Sequence, residues 1–258
     1  MSRHIDFDGI ENFRDFGGYP TTCGRGLKSA RLYRSGAHHM ASEADLARLR
    51  GLGVSVVVDL RQPHERKREP SRRWAGFDAA VIENDIVSEH PDWLDKLKLC
   101  DLSAGWFFED TRNYYRLTPF EARYTHLYSA YFRALGEAEG AVIVHCAAGK
   151  DRTGIACALT HHIAGVHPDD IMADFLLTND ETRIERKMAA LEPYFAAHLG
   201  RTASPEAVRT AVSVFPEYLE TAFASMRERY GSVEAYLEQA LGVDRALRER
   251  IRHRLLDG

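Results

Sequence analysis

Short apolar runs rich in β-branched residues occur in the first 146 residues of the chain. The runs at residues 30–37, 54–60 and 140–146 predict short buried strands, and residues 79–85 form a weaker candidate. GAVIVHC at 140–146 is the clearest, because its β-branched residues and flanking glycine favour a strand over a helix. These segments therefore predict a small sheet.

Helical patterns separate and follow these runs. Between the first two strands, residues 41–53 contain residues typical of helix ends: Ser42 can cap the start, and Gly51 or Gly53 can end the helix. Residues 153–165 follow the clearest strand and are mostly apolar, which is typical of a helix packed in the interior.

The last third of the chain predicts helices throughout. Pro168 suits the first turn of one helix, and apolar residues recur at steps of three to four from Phe215 to Met226. Ser232 and Asp244 can cap two further helices. Strands alternating with helices predict the α/β class, with a mostly parallel central sheet flanked by helices.

Composition narrows the class of protein. The 258 residues are 45% hydrophobic and 28% charged, which is ordinary for a soluble globular protein. Because no repeat or flexible linker interrupts the pattern, we predict a single domain over residues 1–258. A net charge of −4 argues against a nucleic-acid partner. No apolar run is long enough to cross a bilayer, so we expect no integral membrane segment.

Cysteine use and the N-terminal residues bear on the compartment. The four cysteines show no CxxC spacing and are too sparse for a disulfide framework. Residues 1–18 do not have a basic region followed by an apolar signal core. A cytoplasmic location is therefore the default expectation.

The segment HCAAGKDRTG at residues 145–154 joins the clearest strand to the interior helix. In parallel sheets, ligands bind beyond the carboxyl ends of the strands, which is where Cys146 is expected to lie. A helix N-terminus binds anions and lowers the pKa of a nearby thiol. The position therefore indicates a nucleophilic cysteine beside an anion site.

The residues after the cysteine suit a phosphate cradle. Small residues allow successive N–H groups to turn inward around an oxyanion. Arg152 lies at the end of the loop, and its planar guanidinium can donate hydrogen bonds to two phosphate oxygens at once. We predict that phosphate is bound by Ala147, Ala148, Gly149, Lys150, Asp151 and Arg152.

The neighbours of the loop residues have supporting roles in this hypothesis. We expect Thr153 to donate its hydroxyl to the Cys146 sulfur, and His145 to point away from the pocket and bond to backbone. A bare C-x5-R spacing would favour an ordinary structural cysteine. The full motif, placed between strand and helix, favours a functional one.

Hydrolysis of a phosphate monoester also needs an acid to protonate the leaving oxygen. Asp151 lies inside the loop, and Asp59 ends the predicted strand at the same rim of the sheet. Either aspartate could instead brace the loop; Asp151 is the preferred acid and Asp59 the secondary candidate. Lys150 is expected to reach a second anionic group of the substrate.

Two histidine pairs, at residues 38–39 and 161–162, do not indicate a metal site. Adjacent residues diverge on a helix or strand, and no carboxylate-rich spacing accompanies them. We predict neither a metal nor another cofactor.

The motif resembles the signature of the cysteine-dependent protein tyrosine phosphatases. Four segments, at residues 12–19, 31–37, 56–61 with Glu65, and 145–154, occur in the order typical of the atypical bacterial branch. That branch includes mycobacterial PtpB-like and Listeria LipA-like enzymes. The resemblance extends through the C-terminal helices and covers nearly the whole chain.

The resemblance carries further implications. It implies activity on phosphotyrosine, and on phosphoserine, phosphothreonine and phosphoinositides, so the partners would be phosphoprotein or phosphoinositide substrates. It places Arg14 and Asp15 beside the loop as braces, and residues 178–215 as a helical lid, although core-facing helices would show the same pattern.

The branch includes proteins exported without a recognisable signal, so export stays open. The HPDW segment at residues 90–93 resembles the Trp-Pro-Asp loop of other tyrosine phosphatases only superficially, because it does not contain that tripeptide.

The sequence thus predicts a cysteine-dependent phosphatase. Cys146 attacks phosphorus, the loop amides and Arg152 stabilise the oxygens, an aspartate protonates the leaving group, and water hydrolyses the phosphocysteine. Two alternatives from other classes are a catalytically silent phosphate-binding module and a rhodanese-type sulfurtransferase.

Overall fold

The computed structural model describes residues 3–88 and 91–258, so His90 of the HPDW segment lies outside the described residues. Within these residues five strands form one sheet. In chain order they are β1 (Arg14–Asp15), β2 (Leu32–Ser35), β3 (Val54–Asp59), β4 (Ala80–Ile82) and β5 (Ala141–His145). The spatial order is β1-β2-β5-β3-β4; β1 is antiparallel to β2, and all other pairs are parallel.

The central strands are the ones whose sequences are most continuously apolar. β5 lies between β2 and β3, and all five of its residues are buried. A parallel strand covered on both faces needs apolar side chains at successive positions, which explains the Val and Ile runs of β3 and β5. The four predicted strands are confirmed. β1 was missed because its two residues carry no strand periodicity.

Helices cover both faces of this sheet. They are α1 (Glu43–Gly51), α2 (Pro63–Arg68), α3 (Trp93–Leu99), α4 (Ala104–Leu117), α5 (Ala122–Glu137), α6 (Asp151–Ala164), α7 (Pro168–Leu176), α8 (Glu181–Leu199), α9 (Pro205–Val212), α10 (Pro216–Tyr230), α11 (Val233–Gln239) and α12 (Arg245–Leu255). Ser42, Ser232 and Asp244 accept the predicted capping hydrogen bonds, and Pro168 lies in the first turn of α7. The α/β class with a mostly parallel sheet is confirmed.

Alternating residues of the central strands contribute to two separate cores. Val57 and Ile143 pack in a cluster with Leu46 and Leu49 of α1. Val58 and its neighbours on the opposite face pack in a larger cluster with the buried faces of α5, α6 and the C-terminal helices. The large apolar area removed from water on both faces holds the sheet rigid beneath the loops at its rim.

The helices α3 to α5 were not anticipated from the sequence. α3 and α4 join α8 and α9 in a third core, which includes Leu97, Phe107, Phe195 and Val208. In the described part of the chain, no helix is long and apolar enough to cross a membrane.

Candidate active site

The loop after β5 runs close beneath the end of β2. Cys146 follows the last residue of β5 and is 2% exposed, and the N–H of Ala37 donates to the Ala147 carbonyl over 2.9 Å. Gly149 has a φ of +63°, and a Cβ there would lie 2.4 Å from the carbonyl group of Ser35. Only glycine fits this position, because any side chain would collide with the backbone of β2.

Two side chains hold the outward-facing carbonyls of this loop. The Asn12 amide donates from Nδ2 to the Gly149 oxygen over 2.8 Å. Arg34 donates from Nη2 to the same oxygen over 2.9 Å and to the Lys150 oxygen over 3.5 Å. Both donors come from segments that precede the loop by more than 100 residues.

These braces determine where the N–H groups of the loop point. In a planar trans peptide the N–H is antiparallel to the C=O, so carbonyls directed at Asn12 and Arg34 turn the following N–H groups the opposite way. Within the described residues, the N–H groups of residues 148–152 donate to no protein acceptor. They form a row of free donors at the N-terminus of α6, which is a suitable site for an oxyanion.

A buried carboxylate organises the braces. Asp174 of α7 contacts Arg14 Nε at 3.3 Å and Arg34 Nη1 at 3.1 Å, and Arg14 donates to the Asn12 oxygen over 2.6 Å. Burial alone would raise the pKa of Asp174, but the charges of Arg14 and Arg34 outweigh it and hold that pKa at about 2. Asp174 is thus an anion that orients both arginines.

Asn12, Arg34 and Asp174 were not among the predicted site residues. Asn12 and Arg34 lie within segments that carry the resemblance. Asp174 had one signal in the sequence: it shares the buried face of α7 with Ile171 and Phe175, where an unpaired carboxylate would be costly. A charge on the apolar face of a helix could have identified it.

Arg152 is oriented by Glu65 of α2. Its Nη1 and Nη2 donate to Oε2 and Oε1 of Glu65 over 2.5 and 3.0 Å, and each side chain is 13% exposed. Burial raises the pKa of Glu65, but the Arg152 charge and the hydrogen bonds lower it to about 2. This two-point pair fixes the plane of the guanidinium. Nη1 also donates to the Leu60 carbonyl over 3.4 Å, which leaves the Nε–H and the second Nη2–H available.

The two candidate aspartates have different surroundings. Asp59 is 1% exposed, and its carboxylate accepts from Arg61 Nε over 3.0 Å and from Nη2 over 2.7 Å. The Asp151 side chain is 24% exposed; its Oδ1 has no hydrogen-bond partner among the described residues, and its Oδ2 lies 3.7 Å from Lys150 Nζ. Asp151 therefore has a free oxygen in the loop, whereas Asp59 is engaged behind it.

Lys150 does not face solvent. The residue is 7% exposed, and its ammonium donates to the Ala211 and Ser213 carbonyls over 2.8 and 3.3 Å. The sequence led us to expect contact with a second anionic group of the substrate. The structure instead places this charge on the carbonyls at the C-terminal end of α9, where the helix dipole favours a cation.

The supporting residues also differ in their contacts. His145 is buried, with Nδ1 3.3 Å from the Cys146 carbonyl and Nε2 3.6 Å from Asp59. Thr153 has a buried hydroxyl that makes no hydrogen bond to the Cys146 sulfur or to any other described group. Asp15 accepts from the N–H groups of Gly17 and Ala30, so it braces a turn of the N-terminal segment and not the loop.

Four cations lie near the sulfur of Cys146. Burial lowers the pKa of Lys150 and Arg183, and a charged Cys146 acts to raise it. Burial likewise opposes the charged form of Arg34 and Arg152, but surrounding negative charges, Cys146 among them, raise their pKa. The surroundings thus suit a negative charge on the sulfur and on a bound oxyanion.

Residues 178–215, for which a lid or core-facing helices were expected, contact the loop directly. The contact is made by the two bonds from Lys150. Within the segment itself, the Val212 carbonyl accepts from Arg183 Nη1 over 3.0 Å, and the Val214 carbonyl accepts from Asn179 over 2.8 Å. In the described residues, no group of three or more His, Cys, Asp or Glu side chains is arranged to hold a metal ion.

Comparison with known proteins shows similarity over nearly the whole chain. The profile of the tyrosine phosphatase family matches residues 5–257. An inferred tyrosine-protein phosphatase of Cupriavidus necator is 32% identical, over 95% of this chain and 86% of that protein. The triple specificity protein phosphatase PtpB of Mycobacterium tuberculosis is 30% identical, over 97% of this chain and 98% of that protein. Among solved structures, Pseudomonas aeruginosa TpbA is 19% identical over 73% of this chain and 89% of that chain, with a TM-score of 0.32.

Proposed function

The chain belongs to the tyrosine phosphatase family, and on this premise we propose that it hydrolyses phosphate monoesters through a phosphocysteine intermediate. The observation that supports this best is the row of free N–H groups at residues 148–152, turned inward beside Cys146. Glu65 holds Arg152 at the same loop. Donors fixed before the reaction stabilise developing charge without reorganising, which is a large contribution to catalysis.

The reaction proceeds in two displacements. The Cys146 thiolate attacks phosphorus, the bond from phosphorus to the leaving oxygen breaks, and Asp151 donates its proton to that oxygen. A water oxygen then attacks phosphorus, the S–P bond breaks, and the Asp151 carboxylate takes a proton from the water. The thiolate is regenerated and inorganic phosphate leaves.

Asp151 is preferred as the acid because its side chain is partly exposed within the loop, whereas Asp59 is buried and bonded to Arg61. Asp59 has a different proposed role. Burial raises its pKa, but His145 and Arg61 outweigh this and lower the pKa well below its usual range, so Asp59 stays charged and bound to Arg61. We assign it to bracing the end of β3.

The proposed substrates are phosphotyrosine and, in addition, phosphoserine, phosphothreonine and phosphoinositides. The HCAAGKDRTG motif supports this range through its resemblance to the atypical bacterial branch. The similarity to a M. tuberculosis enzyme named for triple specificity supports it as well. Lys150 gives no independent support for lipid substrates, since its ammonium contacts protein carbonyls.

The test is substitution of the nucleophile. Cys146→Ser should abolish turnover of p-nitrophenyl phosphate and keep the binding of inorganic phosphate, because an alcohol is a poor nucleophile at neutral pH. Cys157→Ser is the matched control and should stay active: Cys157 is buried within α6, where burial raises its pKa to about 12.

The possible results separate this proposal from its alternatives. A wild-type protein that binds vanadate without hydrolysing any phosphate ester would be a silent binding module, and turnover of thiosulfate would indicate a sulfurtransferase. If the wild type is active, rates on phosphotyrosine, phosphoserine and phosphothreonine peptides and on phosphoinositide vesicles define the substrate range. Substantial activity in Cys146→Ser would contradict the mechanism.

A further inference from the structure

Two buried tyrosine hydroxyls and one carboxylate oxygen lack hydrogen-bond partners near the start of α6. They are the hydroxyls of Tyr115 on α4 and Tyr218 on α10, and Oδ1 of Asp151. Within the described residues, none of the three atoms completes a hydrogen bond of standard geometry. Buried polar groups are nearly always bonded, so this cluster needs a functional or structural explanation.

Packing holds both phenol rings in place. The rings of Tyr115 and Tyr218 stack with centroids 5.4 Å apart and an interplanar angle of 27°, and both residues are fully buried. Phe175 meets the edge of Tyr115 at 6.0 Å, and Phe108 packs on Tyr218 at 5.3 Å. The rings therefore have little freedom to carry their hydroxyls to another acceptor.

Asp151 is the acceptor within reach of Tyr115. Burial raises the pKa of Tyr115 well above its ordinary value, and the nearby Asp151 adds to this through its charge and as an acceptor for the phenol proton. Burial and the Asp151 charge also raise the pKa of Tyr218, whose hydroxyl has Thr111 in reach as well. Both phenols remain protonated at neutral pH, so Tyr115 can act only as a donor toward a carboxylate.

We propose that Tyr115 is a positioning residue for the general acid: its hydroxyl donates to Oδ1 of Asp151 and leaves Oδ2, on the side of Lys150, to carry the transferred proton. This rests on the proposed function, in which Asp151 is the acid. The stacked Tyr218 ring keeps Tyr115 in position. A carboxyl group bonded at one oxygen has one orientation toward the leaving group, whereas a free one samples several.

The test compares substrates with poor and good leaving groups. Tyr115→Phe removes one oxygen atom and keeps the ring stack. We expect kcat for phenyl phosphate to fall about tenfold, a fraction of the usual contribution of acid catalysis, and kcat for p-nitrophenyl phosphate to fall by less than about twofold. Tyr131→Phe is the matched control, since it removes another buried phenol oxygen, bonded to Thr160 over 2.8 Å, and should leave the ratio of the two rates unchanged.

A second variant distinguishes failure of the inference from failure of the proposed function. Asp151→Asn should give the larger loss on phenyl phosphate, and adding Tyr115→Phe to it should cause no further change in the ratio. If Asp151→Asn shows no dependence on the leaving group, the assignment of the acid is wrong. If the loss in Asp151→Asn does depend on the leaving group, the assignment of the acid holds. If Tyr115→Phe then lowers the rates on both substrates equally, or lowers neither rate, Tyr115 does not position the acid.

Discussion

At the scale of single residues, the Arg152–Glu65 pair determines the geometry of the phosphate site. A planar carboxylate that accepts two parallel hydrogen bonds fixes both the direction and the plane of the guanidinium. The remaining N–H groups of Arg152 are then held ready for two phosphate oxygens. A lysine would keep the charge and lose this planar match.

Arg152→Lys should therefore lower kcat/KM for p-nitrophenyl phosphate about a hundredfold or more, comparable to the loss of one strong transition-state donor. Glu65→Gln should have a smaller effect, because an amide oxygen can still accept one of the two hydrogen bonds seen in the structure. Steady-state kinetics on both variants provide the measurement. An Arg152→Lys enzyme within a few-fold of the wild type would show that charge alone suffices.

At the scale of elements, the C-terminal end of α9 is joined to the catalytic loop. Three successive carbonyls accept from two cations: Ala211 and Ser213 from Lys150, and Val212 from Arg183. Carbonyls at a helix C-terminus carry partial negative charge, so these contacts stabilise the end of α9 and neutralise part of the positive charge beside Cys146. The positions of α9 and of the loop are therefore coupled.

Lys150→Met keeps most of the side-chain length and removes the ammonium, so amide hydrogen exchange should become faster in α9 and at residues 213–215. Exchange in α12 should not change, since that helix does not contact Lys150. Lys98→Met, which removes an exposed ammonium paired with Asp95, is the control variant. A loss of activity confined to phosphoinositides, and reduced by added salt, would instead indicate that Lys150 leaves these carbonyls for the substrate.

At the scale of the whole molecule, buried titratable groups should make the stability depend on pH in two windows. Burial lowers the pKa of His145 to about 4, so the unfolded chain binds more protons than the folded one from about pH 6.5 down to about 4. The pKa of Glu65 and of Asp174 is about 2 in the folded state, below the ordinary range of about 4. Their contribution is complete above about pH 4 and is lost as the pH falls toward about 2.

The free energy of unfolding, measured by urea denaturation, should therefore decrease from neutral pH to about pH 4 and decrease further below it. His145→Gln should reduce the slope in the upper window, while the buried His38 and His161, whose pKa burial also lowers, keep part of it. His253→Gln, at an exposed position, should leave the whole profile unchanged. A wild-type curve that is flat between about pH 6.5 and 4 would contradict the buried neutral state of His145.

The sequence by itself determined four of the five strands of the described sheet, the N-caps of α1, α11 and α12, and the position of the cysteine loop. These features depend on patterns within a few residues: continuous apolar runs in β3 and β5, Ser42 and Ser232 at helix starts, and small residues between Cys146 and Arg152. Local periodicity and spacing predict them because burial on a strand or helix repeats at a fixed interval. The family resemblance came from the same local motifs.

Only the tertiary structure decided which side chains meet at the loop. Arg152 and Glu65 are 87 residues apart in sequence, and Asn12 is 137 residues from the carbonyl it binds. The direction of the Lys150 ammonium, the enclosure of Asp59 by Arg61, and the place of Tyr115 beside Asp151 likewise depend on how elements pack. The sequence shows which residues are charged, but the partner of each charge depends on the strand order and helix packing that bring distant segments together. No pattern within a few residues could therefore have predicted these contacts.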